Sequence, residues 1–188
     1  MSKRLMCIAM LCAVAVPASA QTFWQFSYTG FSDSNTGQFD PQRVEGGFFE
    51  GSDVNGNGLV EQAELTRFAW QQTLFIDVNN RWQECMLMEC SLDGFRYDLR
   101  SGQLDFTSEW SYRDDMAYST SRTVIGDSIY FYGYTGSNEG SSYTWQWTDQ
   151  THFAISPAPV PEPGQAPMLL AGLGVLGLTL RQRRRDFE

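Results

Sequence analysis

The sequence predicts a mainly β domain, an antiparallel sandwich or curled sheet with one helix. Three observations predict it. Aromatic and polar residues alternate with period two in several short segments, glycine-rich turns separate these segments, and no strand–helix–strand alternation runs through them. Trp24, Phe26 and Tyr28 alternate with Gln25, Ser27 and Thr29, a half-buried strand. Residues 31–42 are rich in Ser, Asp, Asn and Gly and read as loop. Val44–Glu50 is a short apolar run with two glycines, a second strand, and residues 52–58 are a turn-rich loop. Leu65, Phe68 and Ala69 fall at i, i+3 and i+4, which predicts the one helix over Glu61–Gln72. Residues 73–78 fit either an extension of that helix or a strand. Phe95–Leu99 and Leu104–Ser108 flank a turn containing Gly102, a hairpin. Ser128–Tyr134 and Tyr143–Thr148 read as further strands, and no fixed-period repeat is present.

The two ends are of another kind. Lys3 and Arg4 precede an apolar stretch from Leu5 to Pro17, and Ala18-Ser19-Ala20 follows. Charge, apolar run and small residues in that order are a secretory signal over residues 1–20, with cleavage specified by Ala18 and Ala20. Cys12 lacks the preceding small residue that a lipidation site needs, and it would leave with Cys7. The alternative is an uncleaved anchor. Between Gln21 and Val160 lie 7 arginines, no lysine and 19 acidic residues, a net charge of −12. No basic patch exists there to hold phosphates, so a nucleic-acid partner is excluded, and binding to anionic lipid is disfavoured. The aromatic content separates this stretch from an acidic disordered tail.

The C-terminus has three ordered parts. A Pro-rich spacer over residues 156–160 leads into Val160-Pro161-Glu162-Pro163. An apolar stretch follows over residues 166–180, and Arg181, Arg183, Arg184 and Arg185 close it. Fifteen helical residues reach only ~22 Å, short of a ~30 Å hydrocarbon core, and three glycines weaken the helix. The arginines hold their end on the cytoplasmic side. The trio resembles the PEP-CTERM sorting signal of Gram-negative bacteria, over residues 161–185. The resemblance implies recognition by exosortase, a membrane protease-transpeptidase, and association with exopolysaccharide. It implies an inner-membrane-anchored intermediate, then the cell surface or extracellular matrix. An ordinary single-pass anchor with a proline-rich neck is the alternative. The tail implies nothing about the body over residues 21–155.

Within the body, residues 53–64 match the EF-hand loop pattern D-x-[DN]-x-[DN]-G-x5-E. Asp53, Asn55 and Asn57 would supply side-chain oxygens to a hard cation, Leu59 its carbonyl, Glu61 a water-mediated contact and Glu64 both carboxylate oxygens. No helix precedes the loop, so it is similar to half a dockerin repeat. A weak Ca2+ site is the expectation, with a dissociation constant on the order of 10⁻⁴ to 10⁻³ M. An Asn/Gly turn that closes without metal is the alternative.

Cys85 and Cys90 are expected to form a disulfide in an oxidising compartment. His152 stands alone, and no nucleophile–base arrangement can be assembled around it. Pairs such as Asp114 with Asp115, or Asp105 with Glu109, are weak candidates for glycan hydrolysis among so many carboxylates. Most aromatic residues read as sheet core, while Trp110, Trp145 or Trp147 could form a sugar-stacking surface. The expectation is therefore an exported, non-enzymatic surface or matrix protein processed by signal peptidase and exosortase. A calcium-dependent carbohydrate-binding module is the alternative, and a secreted glycan hydrolase the weakest one.

Overall fold

The computed structural model describes residues 22–86, 88–136 and 139–157. Eleven strands are present among them: β1 Thr22–Asp33, β2 Phe39–Gly51, β3 Leu59–Glu61, β4 Leu65–Trp70, β5 Thr73–Asp77, β6 Glu89–Asp98, β7 Leu104–Arg113, β8 Ala117–Val124, β9 Ser128–Thr135, β10 Glu139–Gln146 and β11 His152–Ser156. They form one curled antiparallel sheet in the order β3-β6-β7-β8-β9-β10-β1-β2-β4-β5, with β11 also paired to β1. The mainly β, antiparallel expectation holds.

The period-two segments behave as their pattern dictates. Trp24, Phe26 and Tyr28 are buried on the inner face of β1, with Phe23 and Gln25 outside. Leu104 and Phe106 do the same on β7, and Leu92 and Tyr97 on β6. The curl brings β2 and β4 against β6 and β7, and the core is mostly aromatic, with Val60, Leu65, Leu92, Leu104 and Ile129 among the rings. Phe68 meets Phe106 edge-on at 5.0 Å and Phe95 at 5.4 Å, and Phe26 stacks on Trp70 at 5.6 Å. Edge-to-face and offset stacking of this kind is favoured by the ring quadrupoles. Trp70 Nε1 donates to Thr123 Oγ1 at 2.9 Å, which satisfies the buried indole across the curl.

The predicted helix over Glu61–Gln72 is not there. Gln62–Glu64 makes a single 3₁₀ turn, and β4 begins at Leu65. The i, i+3, i+4 spacing of Leu65, Phe68 and Ala69 arises instead from two irregularities in β4. Its register against β2 shifts near Gly51, and its register against β5 shifts between Phe68 and Ala69. Each shift changes which residues face inward. Gly47 makes the close β2–β4 contact possible, since a Cβ there would lie 2.2 Å from the Ala69 carbonyl oxygen. Residues 73–78 resolve in favour of a strand, β5.

The predicted loop over residues 31–42 is shorter than expected. β1 continues to Asp33 and β2 starts at Phe39, leaving a turn held by Asp33, whose carboxylate accepts from Asn35 N and Thr36 Oγ1. The predicted hairpin around Gly102 is present, with Gly102 at φ +72°. No helix among the described residues is long and apolar enough to cross a membrane. The predicted signal with Ala18 and Ala20, and the tail from Val160 to Arg185, lie outside the described residues.

Candidate functional site

The loop over residues 53–64 leaves β2 at Gly51 and runs through β3 into the 3₁₀ turn. Gly58 adopts φ +83°, the sharp bend that the loop pattern requires there, and Gly56 adopts φ +74°. Asp53 caps the loop from within. Its Oδ1 accepts from Gly56 N and Asn57 N at 2.7 and 3.1 Å, and its Oδ2 from Gly58 N at 2.8 Å. Glu64 closes the far side. Its Oε1 accepts from Val54 N and Asn55 N, and its Oε2 from Glu61 N at 3.0 Å, half of a capping box. Asn55 and Asn57 both turn their amide nitrogens to Glu61 Oε2, at 3.3 and 3.1 Å.

All the predicted side chains are thus gathered in one loop, and each accepts at least one hydrogen bond from an N–H group of the loop itself. Leu59 takes part through its N–H, which donates to Asn57 Oδ1 at 2.8 Å. Among the described residues no group of three or more His, Cys, Asp and Glu side chains is arranged to hold a metal ion. Hydrogen bonding accounts for the loop's shape with no cation. The exiting element differs from an EF-hand as well, because Glu64 sits on one 3₁₀ turn and not on an α-helix.

Cys85 and Cys90 are bonded, as expected, and pin the segment between β5 and β6. His152 is exposed at the start of β11. Two of the carboxylates proposed as hydrolytic pairs, Asp114 and Glu109, have local side-chain partners. Asp114 accepts from Tyr112 Oη and from the backbone of Met116 and Ala117, which holds its carboxyl below the usual carboxylate range. Glu109 lies 4.0 Å from Arg122, and Asp105 is opposite Arg96.

All three tryptophans are half-buried against the core. Trp147 packs edge-on against Phe31 and Tyr28. Trp110 and Trp145 stand on the inner face of β7 and β10. Register supplies their neighbours. Trp110 is opposite Ser121, Ser121 opposite Phe131, and Phe131 opposite Tyr143. Phe131 stacks on Tyr143 at 5.0 Å and 16°, and lies 6.3 Å from Trp110. Small residues floor this row: a Cβ on Gly133 would lie 3.1 Å from Phe131 Cζ.

Arg43 of β2 covers one end, 4.9 Å from the Trp145 ring and 5.9 Å from Tyr143. It pairs with Glu45, which also accepts from Gln71 Nε2 at 2.8 Å. Burial pushes the Tyr143 phenol up; Glu45 adds to this and Arg43 opposes it. Sequence reasoning missed Arg43, Glu45 and Gln71. The period-two phase of β2 was the available signal: Arg43 and Glu45 share a face with buried Phe49, whereas apolar Val44 points outward.

Residues 159–185 match the family model described as the PEP-CTERM protein-sorting motif. No curated protein and no solved structure matches the chain. The motif covers the tail alone, and its three parts are those read from Pro161 to Arg185. The chain is therefore an exported protein carrying an exosortase sorting signal, held at the membrane before its release to the surface.

Proposed function

We infer that the β domain is a non-enzymatic surface or matrix component of a Gram-negative cell, delivered by its tail and associated with exopolysaccharide. The observation that carries this reading is the sorting motif at residues 159–185 joined to an acidic, aromatic-rich β body. The local engagement of Asp114 and Glu109 supports a structural over a hydrolytic use of these carboxylates. Signal peptidase would act after Ala20, and exosortase near Pro161-Glu162-Pro163. Deleting residues 161–188 and fractionating the cells tests the reading. The full chain should pass through the membrane fraction and lose mass on release. An unchanged distribution and an unchanged mass in the deletion would overturn the sorting role of the tail.

A second reading gives the loop a weak Ca2+ site. Asp53 Oδ2, Asn55 Oδ1, Asn57 Oδ1 and Glu64 Oε2 each accept a single protein hydrogen bond and retain a lone pair, and this favours it. The cation would draw Asn55 and Asn57 oxygens inward and bring Glu61 in through water. At ten times the dissociation constant, linkage gives ~1.4 kcal/mol of stabilisation. That shift in melting temperature should vanish in Glu64→Gln. No shift at several times ~1 mM Ca2+ would leave the loop as a hydrogen-bonded turn.

A further inference from the structure

We propose that the end of the domain from which the sorting tail departs is a docking surface for a zwitterionic lipid bilayer. Trp82, Val54, Val78 and Phe23 seat it there while the tail is anchored. The proposal rests on the sorting reading for the presence of the membrane, and goes beyond it in assigning a lipid contact to the β body.

Strand register places the four residues at one end. Phe23 is opposite Glu50, Glu50 opposite Arg67, and Arg67 opposite Asp77, one rung across β1, β2, β4 and β5. Val78 follows Asp77, and its N–H donates to the Thr66 carbonyl at 3.0 Å. Residues 78–84 form a loop off that rung, closed where Glu84 Oε1 accepts from Asp77 N at 2.7 Å. Trp82 lies within this loop, on the 3₁₀ turn Arg81–Gln83. Val54 follows Gly51, which ends β2 opposite Thr22 and Leu65.

These side chains face solvent. Trp82 is 92 % exposed and Val54 74 %, and Phe23 and Val78 are exposed as well. Of the eight large apolar side chains exposed among the described residues, four are at this end. Such a concentration of apolar surface marks a contact, and an indole, apolar in body and polar at its N–H, suits the boundary between lipid and water.

The tail selects the occupant. β11 runs antiparallel to β1 with Ser156 opposite Gln25, so the chain leaves β11 heading toward the rung of Phe23. The apolar stretch of the tail begins ten peptide steps later, at residue 166, ~35 Å away at full extension. Four steps between strands separate β11 from β5, ~19 Å. The whole end is therefore within reach of the bilayer that holds the tail, and the direction of the chain turns it that way.

Charge at this end is already matched. Arg67 pairs with Glu50 at 2.8 Å and with Asp77 at 3.5 Å. The carboxylates of Asp53 and Glu64 accept from N–H groups of their own loop. In a body of net charge −12, this fits a lipid surface without net charge and not an anionic one.

Fluorescence quenching by lipid tests the surface with the exported chain, tail intact, held at one copy per nanodisc of phosphatidylcholine. Discs of phosphatidylcholine brominated near the headgroup end of its acyl chains should lower tryptophan emission relative to unbrominated discs. Trp82→Phe should abolish that difference, because the other tryptophans are buried or half-buried in the body. Val54→Asp and Val78→Asp should each reduce it about threefold. Val44→Asp, on β2 and ~20 Å along the strand from Glu50, should leave it unchanged. Near-ultraviolet circular dichroism reports folding; if an aspartate variant fails there, Trp82→Phe, a conservative change at an exposed position, decides. Equal quenching in Trp82→Phe, equal loss in Val44→Asp, or no quenching in discs that retain the chain would overturn the docking surface. Shielding of Trp82 only in vesicles that hold many copies would assign the surface to a second copy and overturn it too. A chain that does not enter the discs at all would overturn the anchored tail and the proposal with it, whereas retention without quenching overturns the docking alone.

Discussion

At the residue scale, the core is decided by where aromatic side chains find room and where their polar atoms find partners. Phe68 is fully buried between Phe75, Phe95 and Phe106, so Phe68→Ala should cost ~3–5 kcal/mol in chemical denaturation, from lost transfer energy plus the cavity. Thr123→Val keeps the volume of Thr123 but leaves the Trp70 indole N–H without its acceptor. It should cost ~1–3 kcal/mol, and Val at this position stabilising the fold would contradict the bond. Gly47 and Phe68 show how differently residues are legible. Phe68 reads as core on any face of any element, whereas the need for Gly47 exists only because Ala69 lies against it.

At the element scale, turns carry most of the local specification. The β6–β7 turn is held by Asp98, which accepts from Arg100 N and Ser101 N at 2.8 and 3.0 Å. The Ser101 and Arg100 backbone donors hold its carboxyl below the usual range. A depressed folded value means that this stabilisation is present above the unfolded value of ~3.9 and is lost as pH falls through the folded one. Asp98→Ala should therefore lower the melting temperature at neutral pH, and the gap to the parent should narrow as pH falls below ~3.9. The β4–β5 turn gives the opposite sign. Gln72 is exposed at φ +69°, and Gln72→Gly should stabilise by ~1 kcal/mol in a melting experiment by relieving the left-handed penalty. Cys85 and Cys90 close a six-residue loop, so replacing both with Ser should cost roughly 2 kcal/mol on the chain-entropy argument. The hairpin at Gly102 was legible because its turn and both flanking alternations agree. The segment after Glu61 was not, because bulged strand and amphipathic helix produce the same spacing of Leu65, Phe68 and Ala69.

At the scale of the whole molecule, β1 and β11 are neighbours, with Gln25 opposite Ser156. The body therefore begins and ends on adjacent strands, and the sorting tail joins it beside its first strand. The pairing of β1 with β10 comes further along, at Ser32 and Asp33, so the aromatic row belongs to the part of the sheet away from that junction. The sequence by itself determined the sorting signal, because that is a linear pattern of proline, apolar length and charge. It also determined the β class, the disulfide and the loop bend at Gly58, because period-two alternation, short spacing and positive φ are local properties. Only the tertiary structure decided that Glu61–Trp70 is turn and strand, that Glu64 spends its oxygens on the loop's own N–H groups, and that Arg43, Glu45 and Gln71 meet Tyr143 and Trp145. Those outcomes depend on strand register and on the curl of the sheet, which bring residues distant along the chain to one face; no local pattern records that juxtaposition.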